Sequence, residues 1–348
     1  MPDPALEVEG LEVEFPTKAG TVHAVRGIDF SIAPGEVLGI VGESGSGKSV
    51  TALATMGLLP KGATVRGSIR FHGRELLDLK EKQLTDVRGT GIAMIFQDPM
   101  TSLNPVYTIG WQIAEAIRAH QDIGKEAAQA RAIELLAKVG IPNPAERVDN
   151  YPHEFSGGMR QRVVIAIGMA NDPDVILADE PTTALDVTVQ AQVLESLKTA
   201  LSETGAALLL ITHDLGVIAG LADRVLVMYA GRPVEVGTVD DVFYKPSMPY
   251  TLGLLGSLPR LDSDGSERLR QIPGSPPSML GAPTGCPFAP RCPLRADICM
   301  TTEPPLVVVP SVDSARGDHR AACHFAESVA AGEHGALFSD AAAGVAAP

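Results

Sequence analysis

The chain has 348 residues, of which 45% are hydrophobic and 20% charged, a balance typical of globular proteins and enough length for two domains. Its formal net charge of −14 argues against general binding of nucleic acid or anionic lipid. No apolar run approaches the roughly 18 residues that span a bilayer, and the start lacks the charged and apolar parts of a signal peptide. We therefore expect a cytosolic protein, or one that reaches membranes only through partners.

The first predicted elements are strands. Residues 6–41 alternate apolar and polar positions, with breaks at Pro16, Gly20 and Pro34, which predicts short antiparallel strands. The apolar run 37–41 is typical of a buried strand, and the residues after position 49 predict the start of a helix.

Between that strand and helix lies a glycine-rich loop that fits G-x-x-x-x-G-K-[S/T]. Backbone N–H groups of such a loop turn inward around a phosphate chain, and the helix N-terminus adds positive potential. The predicted phosphate-binding residues are Gly42, Ser44, Gly45, Ser46, Gly47, Lys48 and Ser49. Lys48 would reach the β- and γ-phosphates, and the Ser49 hydroxyl would bind Mg²⁺. The alternative is a glycine-rich turn that only connects two elements.

The middle of the chain alternates helices and strands. Helical spacing covers about residues 111–139, a second helix is predicted from Ser156 to Met169, and buried strands are predicted at Val175–Ala178 and Ala206–Thr212. This order predicts an α/β fold with a parallel sheet covered on both faces.

The strand that begins at Val175 ends in two carboxylates. Asp179 can hold Mg²⁺ opposite Ser49, and Glu180 could polarise a water for in-line attack on the γ-phosphate. The alternative is a solvated carboxylate pair at a sheet edge.

The composition changes near residue 246, where proline and glycine become dense. We interpret 1–245 as one domain, with a helical part at about 100–165, and 246–325 as an accessory region. Residues 326–348 are rich in Ala, Gly and Ser, which predicts a disordered tail.

All four cysteines lie in the accessory region, at Cys286, Cys292, Cys299 and Cys323. Disulfides are rare in cytosolic proteins, so the cluster suggests a metal centre. The spacing lacks the short C-x2-4-C pairs of structural zinc sites and favours a [4Fe–4S] cluster. Zinc, or free thiols in a loop-rich appendage, are the alternatives.

Ser156-Gly157-Gly158, followed by a basic helical stretch, precedes the Asp179-Glu180 strand. In isolation it is an ordinary helix cap. In this order it resembles the signature of ATP-binding-cassette (ABC) ATPases, usually Leu-Ser-Gly-Gly-Gln, with Phe155 and Met159 as departures. The resemblance implies a P-loop (RecA-like) nucleotide-binding domain with an antiparallel β subdomain and an α-helical subdomain.

The resemblance also implies roles for other residues. Gln97 matches the Q-loop, which senses Mg²⁺ or water, Asp186 matches the D-loop, and His213 matches the switch histidine that touches the γ-phosphate. Ser156, Gly157 and Gly158 would act on the ATP of an opposing cassette. Phe15 is the candidate for stacking on adenine.

The stretches 94–105 and 179–188, with Pro249-Tyr250-Thr251, are similar to the ATPase subunits of dipeptide and oligopeptide importers, above all the dipeptide type. This implies a peripheral subunit on the cytoplasmic face of the bacterial inner membrane. Its partners would be a second, related ATPase, two permeases and an extracytoplasmic peptide-binding protein, with no nucleic acid.

There are three alternatives to this interpretation. A soluble cassette protein of DNA repair would need a much longer insertion between Lys48 and Ser156, and one of translation would usually carry two cassettes, so both are disfavoured. An exporter subunit is disfavoured as well, because exporters often have membrane spans fused to the cassette and this sequence shows none. Nickel importers share the subfamily, so the cargo stays undecided.

Overall fold

The computed structural model describes residues 3–183, 185–257, 272–312 and 318–332. Its strands are β1 (Leu6–Thr17), β2 (Gly20–Ile32), β3 (Val37–Val41), β4 (Thr64–Phe71), β5 (Arg74–Glu75), β6 (Ile92–Ile95), β7 (Val175–Asp179), β8 (Ala207–Thr212), β9 (Arg224–Tyr229), β10 (Arg232–Thr238), β11 (Val307–Val308) and β12 (Arg320–Ala321).

Its helices are α1 (Lys48–Thr55), α2 (Glu81–Val87), α3 (Pro99–Ser102), α4 (Ile109–Arg118), α5 (Lys125–Lys138), α6 (Pro144–Arg147), α7 (Gly157–Gly168), α8 (Val187–Thr204), α9 (Leu215–Leu221), α10 (Val239–Tyr244), α11 (Pro249–Gly256), α12 (Asp297–Thr301) and α13 (Ala326–Ala330). Short 3₁₀ helices occupy Pro152–Glu154 and Ala289–Arg291. Within the described ranges, no helix is both long and apolar enough to span a bilayer.

The central sheet has eight strands in the order β11-β12-β10-β9-β3-β8-β7-β6. Strands β6, β7, β8, β3 and β9 are parallel, and β10, β12 and β11 extend the β9 edge with antiparallel pairing. Every residue of β3, β7 and β8 is buried, which explains their continuous apolar runs, because both faces of a parallel sheet are covered. The α/β prediction is therefore confirmed.

A second sheet is antiparallel, in the order β2-β1-β4-β5. Its strand β1 buries Leu6 and Val8 and then Leu11 and Val13, so the apolar alternation shifts by one residue in the middle. The register shifts at the same point, beside Gly10 with a φ of 55°. A bulge accommodates the extra residue and keeps one face of the strand in the core.

Helices α3 to α7, which lie between β6 and β7 in the sequence, form a helical layer. α4 buries Ile109, Ile113 and Ile117, a spacing that sets one apolar stripe against the main core. The Thr108 side chain caps this helix by accepting a hydrogen bond from the Trp111 N–H. The region predicted to be helical, residues 100–165, lies in this layer.

Residues after position 245 continue the central sheet, because β12 pairs with β10 and β11 pairs with β12. The prediction of a disordered tail from residue 326 is wrong for its first residues, which form α13. Ala326 and Val329 are buried there, and this burial supplies the stabilisation that composition alone did not indicate. Residues 333–348 of that predicted tail lie outside the described residues.

A fully buried histidine–glutamate pair connects the residue before β12 to β10. His319 Nε2 lies 2.9 Å from Glu235 Oε1, and neither side chain has solvent exposure. The Ser247 N–H donates a hydrogen bond of 2.5 Å to the same carboxylate oxygen. Burial alone would lower the pKa of His319, but the hydrogen bond and charge of Glu235 raise it.

We expect His319→Ala to destabilise the protein by roughly 3–5 kcal/mol, because it leaves the Glu235 carboxyl buried without its partner. Urea unfolding of the full chain at neutral pH measures this difference. The matched control is His153→Ala at an exposed position, which should change stability by less than about 0.5 kcal/mol. Equal stability of the two variants would contradict a structural role for the pair.

Candidate nucleotide-binding site

The candidate site lies where neighbouring parallel strands end. Val41 pairs with Thr212, and Asp179 pairs with Ile211, so β3, β8 and β7 finish side by side. The chain leaves them at Gly42, His213 and Glu180. Ligands of open α/β sheets bind at this carboxyl edge. Gln97 joins them, because it follows β6, the neighbour of β7.

The glycine loop wraps around the Lys48 side chain. The Lys48 Nζ donates hydrogen bonds to the carbonyl oxygens of Gly42 at 2.7 Å and Glu43 at 3.0 Å. Gly47 has a φ of 103°, and a Cβ at this position would lie 2.5 Å from the Ala24 carbonyl oxygen. Only glycine fits such a turn, which directs backbone N–H groups to one side and suits an anionic phosphate chain.

Burial lowers the pKa of Lys48, while the carboxylates of Glu180, Asp179 and Glu43 oppose that shift. The side chain is almost fully enclosed by the loop, so its charge acts through little water. An ammonium group in this setting attracts phosphate oxygens more strongly than an exposed lysine does.

Ser49 and Asp179 face each other across the site. The Ser49 hydroxyl donates a hydrogen bond of 2.9 Å to Asp179 Oδ1. Burial raises the pKa of Asp179, and the bond from Ser49 opposes this. A hydroxyl and a buried carboxylate are oxygen ligands of the kind that Mg²⁺ prefers, and a cation would offset the cost of burying the carboxylate. These residues fit a magnesium ion.

Glu180 is the point where most of the polar side chains meet. Its Oε2 atom accepts hydrogen bonds from Gln97 Nε2 at 2.9 Å and Thr183 Oγ1 at 2.7 Å. The same oxygen lies 3.3 Å from Nδ1 of His213. Burial would raise the pKa of Glu180, but the bond from Thr183 and the nearby imidazole bring it below its usual value. The carboxylate is therefore ionised at neutral pH.

The backbone at Glu180 is left-handed, with a φ of 48°. Such a conformation costs energy in a residue with a side chain, and it occurs at functional sites where the surroundings hold it. Here the Glu180 N–H donates to the Ile211 carbonyl at 2.8 Å, which fixes the turn after β7.

Two family models match the chain. One, described as ABC transporter, matches residues 25–183, and one described as oligopeptide/dipeptide transporter, C-terminal region, matches residues 234–299. The dipeptide transport ATP-binding protein DppD of Bacillus subtilis is 53% identical over 296 residues, which cover 84% of this chain and 88% of that protein. The chain belongs to the family of ABC peptide-transport ATP-binding proteins.

Another relative extends well beyond this chain. The oligopeptide transport ATP-binding protein OppD of Mycobacterium tuberculosis is 59% identical over 321 residues, or 92% of this chain. Those residues are 52% of that protein, so this chain spans about half the length of its mycobacterial relative.

Among solved structures, a dimeric ATP-binding cassette, MJ0796, in a post-hydrolysis state with ADP and Pi, resembles this chain with a TM-score of 0.60 and 26% identity. The match covers 67% of this chain and 98% of that one. The prediction of an ABC ATPase fold is confirmed.

The ABC signature residues lie at the start of α7. The Ser156 side chain caps the helix by accepting from the Met159 N–H at 3.4 Å, and Ser156 and Gly157 are exposed. A Cβ at Gly158 would overlap Val189 Cγ1, so this glycine allows α7 to approach α8. Phe155, where the family pattern has Leu, is buried in the main core and keeps the apolar role of that position.

Two other predicted site residues are Asp186 and Phe15. Asp186 caps α8 by accepting from the Val189 N–H at 3.0 Å, and it is exposed. Ala184 of the same loop lies outside the described residues. Phe15 is partly buried near the end of β1 and packs against the core of the antiparallel sheet.

The prediction of an iron–sulfur or zinc centre at Cys286, Cys292, Cys299 and Cys323 is wrong. The four free thiols line one apolar cavity, but no group of three or more histidine, cysteine, aspartate or glutamate side chains in the described ranges could hold a metal ion. The names of the relatives mention peptide transport and ATP binding, and neither name mentions a metal. Burial raises the pKa of Cys292 to about 11 and of Cys323 to about 12, which favours the neutral thiol over the thiolate that binds metals.

Sequence reasoning did not assign a role to Thr183, although its position three residues after Glu180 is suited to a local side-chain bond. We expect Thr183→Ala to reduce ATP turnover by about tenfold, because the Glu180 carboxylate loses a hydrogen bond that fixes its position, with MgATP affinity unchanged. Steady-state hydrolysis and calorimetry measure the two quantities. Thr183→Ser, which keeps the hydroxyl, is the matched control; a loss of the same size in that variant would contradict the role of the bond.

Proposed function

We propose that this chain is the ATP-hydrolysing subunit of a peptide importer in the bacterial cytoplasmic membrane. The observation that carries the proposal is the convergence of Gln97, Thr183 and His213 on the Glu180 carboxylate, beside the Lys48 loop. A phosphate cradle with an ionised carboxylate next to it is suited to hydrolysis of a phosphoanhydride.

In this mechanism the loop from Gly42 to Ser49 binds the phosphates of ATP, and Lys48 balances charge on the β- and γ-phosphates. Ser49, Asp179 and Gln97 would hold Mg²⁺, which neutralises phosphate charge when bound. Glu180 accepts the proton of the attacking water. His213, which is exposed beside Glu180, contacts the γ-phosphate.

The exposed signature residues support a composite site shared by two cassettes. Ser156, Gly157 and Asp186 present polar groups at the surface, and Val187 beside them is 84% exposed. A single chain leaves this surface uncovered in the described structure, whereas two cassettes packed head to tail would bury it. Each ATP would then lie between Lys48 of one cassette and Ser156 of the other. We propose a related but distinct ATPase as the partner.

The remaining assignments follow from family membership. Two permeases and an extracytoplasmic binding protein would complete the importer, and the chain would sit on the cytoplasmic face of the membrane. The names of the relatives, which refer to oligopeptide and dipeptide transport, support peptides rather than nickel as the cargo. Phe15 would stack on adenine. In this proposal residues 1–245 form the nucleotide-binding domain and residues 246–325 form the accessory region.

Glu180→Gln tests the proposal. In complexes with the co-expressed permeases and partner ATPase, we expect hydrolysis to fall at least about a hundredfold, since the general base is lost. MgATP affinity should stay within about threefold, because the glutamine keeps the shape of the site. Phosphate release and uptake of a radiolabelled dipeptide into vesicles measure hydrolysis and transport in the same preparation.

Glu195→Gln makes the same chemical change on the exposed face of α8 and should leave both activities unaltered. Undiminished hydrolysis in Glu180→Gln would remove this residue from the mechanism. Vesicles with the unchanged chain that accumulate Ni²⁺ but no peptide would overturn the proposed cargo.

A further inference from the structure

Glu43 belongs to the glycine loop, yet its side chain is held by a residue from the far end of the chain. Arg291 donates from Nη1 to Glu43 Oε2 at 2.6 Å and from Nη2 to Glu43 Oε1 at 2.9 Å. The arginine side chain is only 5% exposed. Two parallel bonds between a guanidinium and a carboxylate fix both groups in one orientation.

Arg291 is itself fixed by other partners. Its Nε donates to the Pro273 carbonyl at 2.8 Å, and its Nη1 lies 3.3 Å from the Tyr229 hydroxyl. The hydrogen bonds to Glu43 raise the pKa of Arg291, so the guanidinium is always charged. Because these partners fix the guanidinium, Arg291 also fixes the position of the Glu43 carboxylate.

The backbone of Glu43 has a second tie to the same region. Its N–H donates to the Tyr250 hydroxyl at 2.8 Å. The Tyr250 ring packs against Tyr229 and Phe288, with centroid distances of 4.6 and 5.4 Å. Tyr250 lies in the Pro-Tyr-Thr segment, so this contact gives that segment a place beside the loop.

The charge on Glu43 acts on the phosphate cradle. Its carboxylate is one of the groups that oppose the lowered pKa of Lys48, and its carbonyl oxygen accepts a hydrogen bond from that ammonium. A free carboxylate here would repel a triphosphate and compete for Lys48. Pairing with Arg291 cancels this charge and keeps the carboxylate in a fixed position.

We propose that Arg291 is a positioning residue for ATP binding, which neutralises and holds the Glu43 carboxylate at the edge of the phosphate loop, while Tyr250 fixes the backbone there. The accessory region 246–325, which contains both Arg291 and Tyr250, thereby sets the ATP affinity of the cassette. This inference rests on the proposed binding of ATP by the loop.

Arg291→Ala tests it in the full chain. We expect the dissociation constant for MgATP, by calorimetry, and the KM for ATP to rise about tenfold, which corresponds to about 1.4 kcal/mol. The kcat at saturating ATP should stay within about twofold, because the groups around Glu180 are untouched. Adding Glu43→Gln to Arg291→Ala should restore most of the affinity, since it removes the unpaired charge.

Glu303→Gln is the matched control. Glu303 joins the same accessory region to β2 and β10 through ion pairs with Arg26 at 2.7 Å and Arg232 at 3.0 Å. Neither of these ion pairs involves a residue of the glycine loop. This variant should leave the MgATP affinity unchanged. Arg291→Lys, which keeps the charge but not the paired bonds, should show an intermediate loss and replaces Arg291→Ala if that variant does not fold.

Unchanged affinity in folded Arg291→Ala, an equal loss in Glu303→Gln, or no recovery with Glu43→Gln would each overturn the inference. Lys48→Ala separates this result from a failure of the proposed function. If the unchanged chain binds MgATP and Lys48→Ala does not, the site is valid, and an unaffected Arg291→Ala then counts against the inference alone.

Discussion

The parallel pairing of β3, β8 and β7 is the constraint on which the site depends. Because these strands run in one direction and lie side by side, the residues that follow them meet at one edge of the sheet. Gly42, His213 and Glu180 come from segments far apart in the sequence and owe their proximity to this register alone. A shift of register by one residue would move the terminal side chain of a strand to the other face of the sheet and so away from the site.

At this edge of the sheet, burial and neighbouring groups shift the pKa values of Lys48 and Asp179 in opposite directions. Enclosure lowers the pKa of Lys48 and raises that of Asp179, so each group is held in surroundings that disfavour its own charge. A bound magnesium nucleotide supplies charges of both signs and would relieve both costs. Glu180 differs, because its hydrogen-bond donors lower its pKa and keep the carboxylate ionised. Arg291 of the accessory region pairs with the carboxylate of Glu43, a further charged group of the glycine loop.

Local patterns predicted much of this arrangement. The glycine loop, the Asp179-Glu180 pair and the Ser156 cap each depend on a few adjacent residues, and a strand or helix boundary lies at each in the structure. The partners of Glu43 could not be predicted, because Arg291 and Tyr250 are more than two hundred positions away and only the tertiary fold brings them close. The cysteines misled for a related reason: their spacing suggested ligands, but it carried no information on the geometry or protonation of the buried thiols.

We propose that ATP is bound between the Lys48 loop of one cassette and Ser156 of another. An experimental structure of the Glu180→Gln chain, assembled with its partner ATPase and permeases and trapped with MgATP, tests this most directly. We expect a closed dimer in which each γ-phosphate lies within hydrogen-bond distance of a P-loop lysine from one cassette and a signature serine from the other. Nucleotide bound to Lys48 with Ser156 far from any phosphate, in a closed and fully loaded complex, would contradict it.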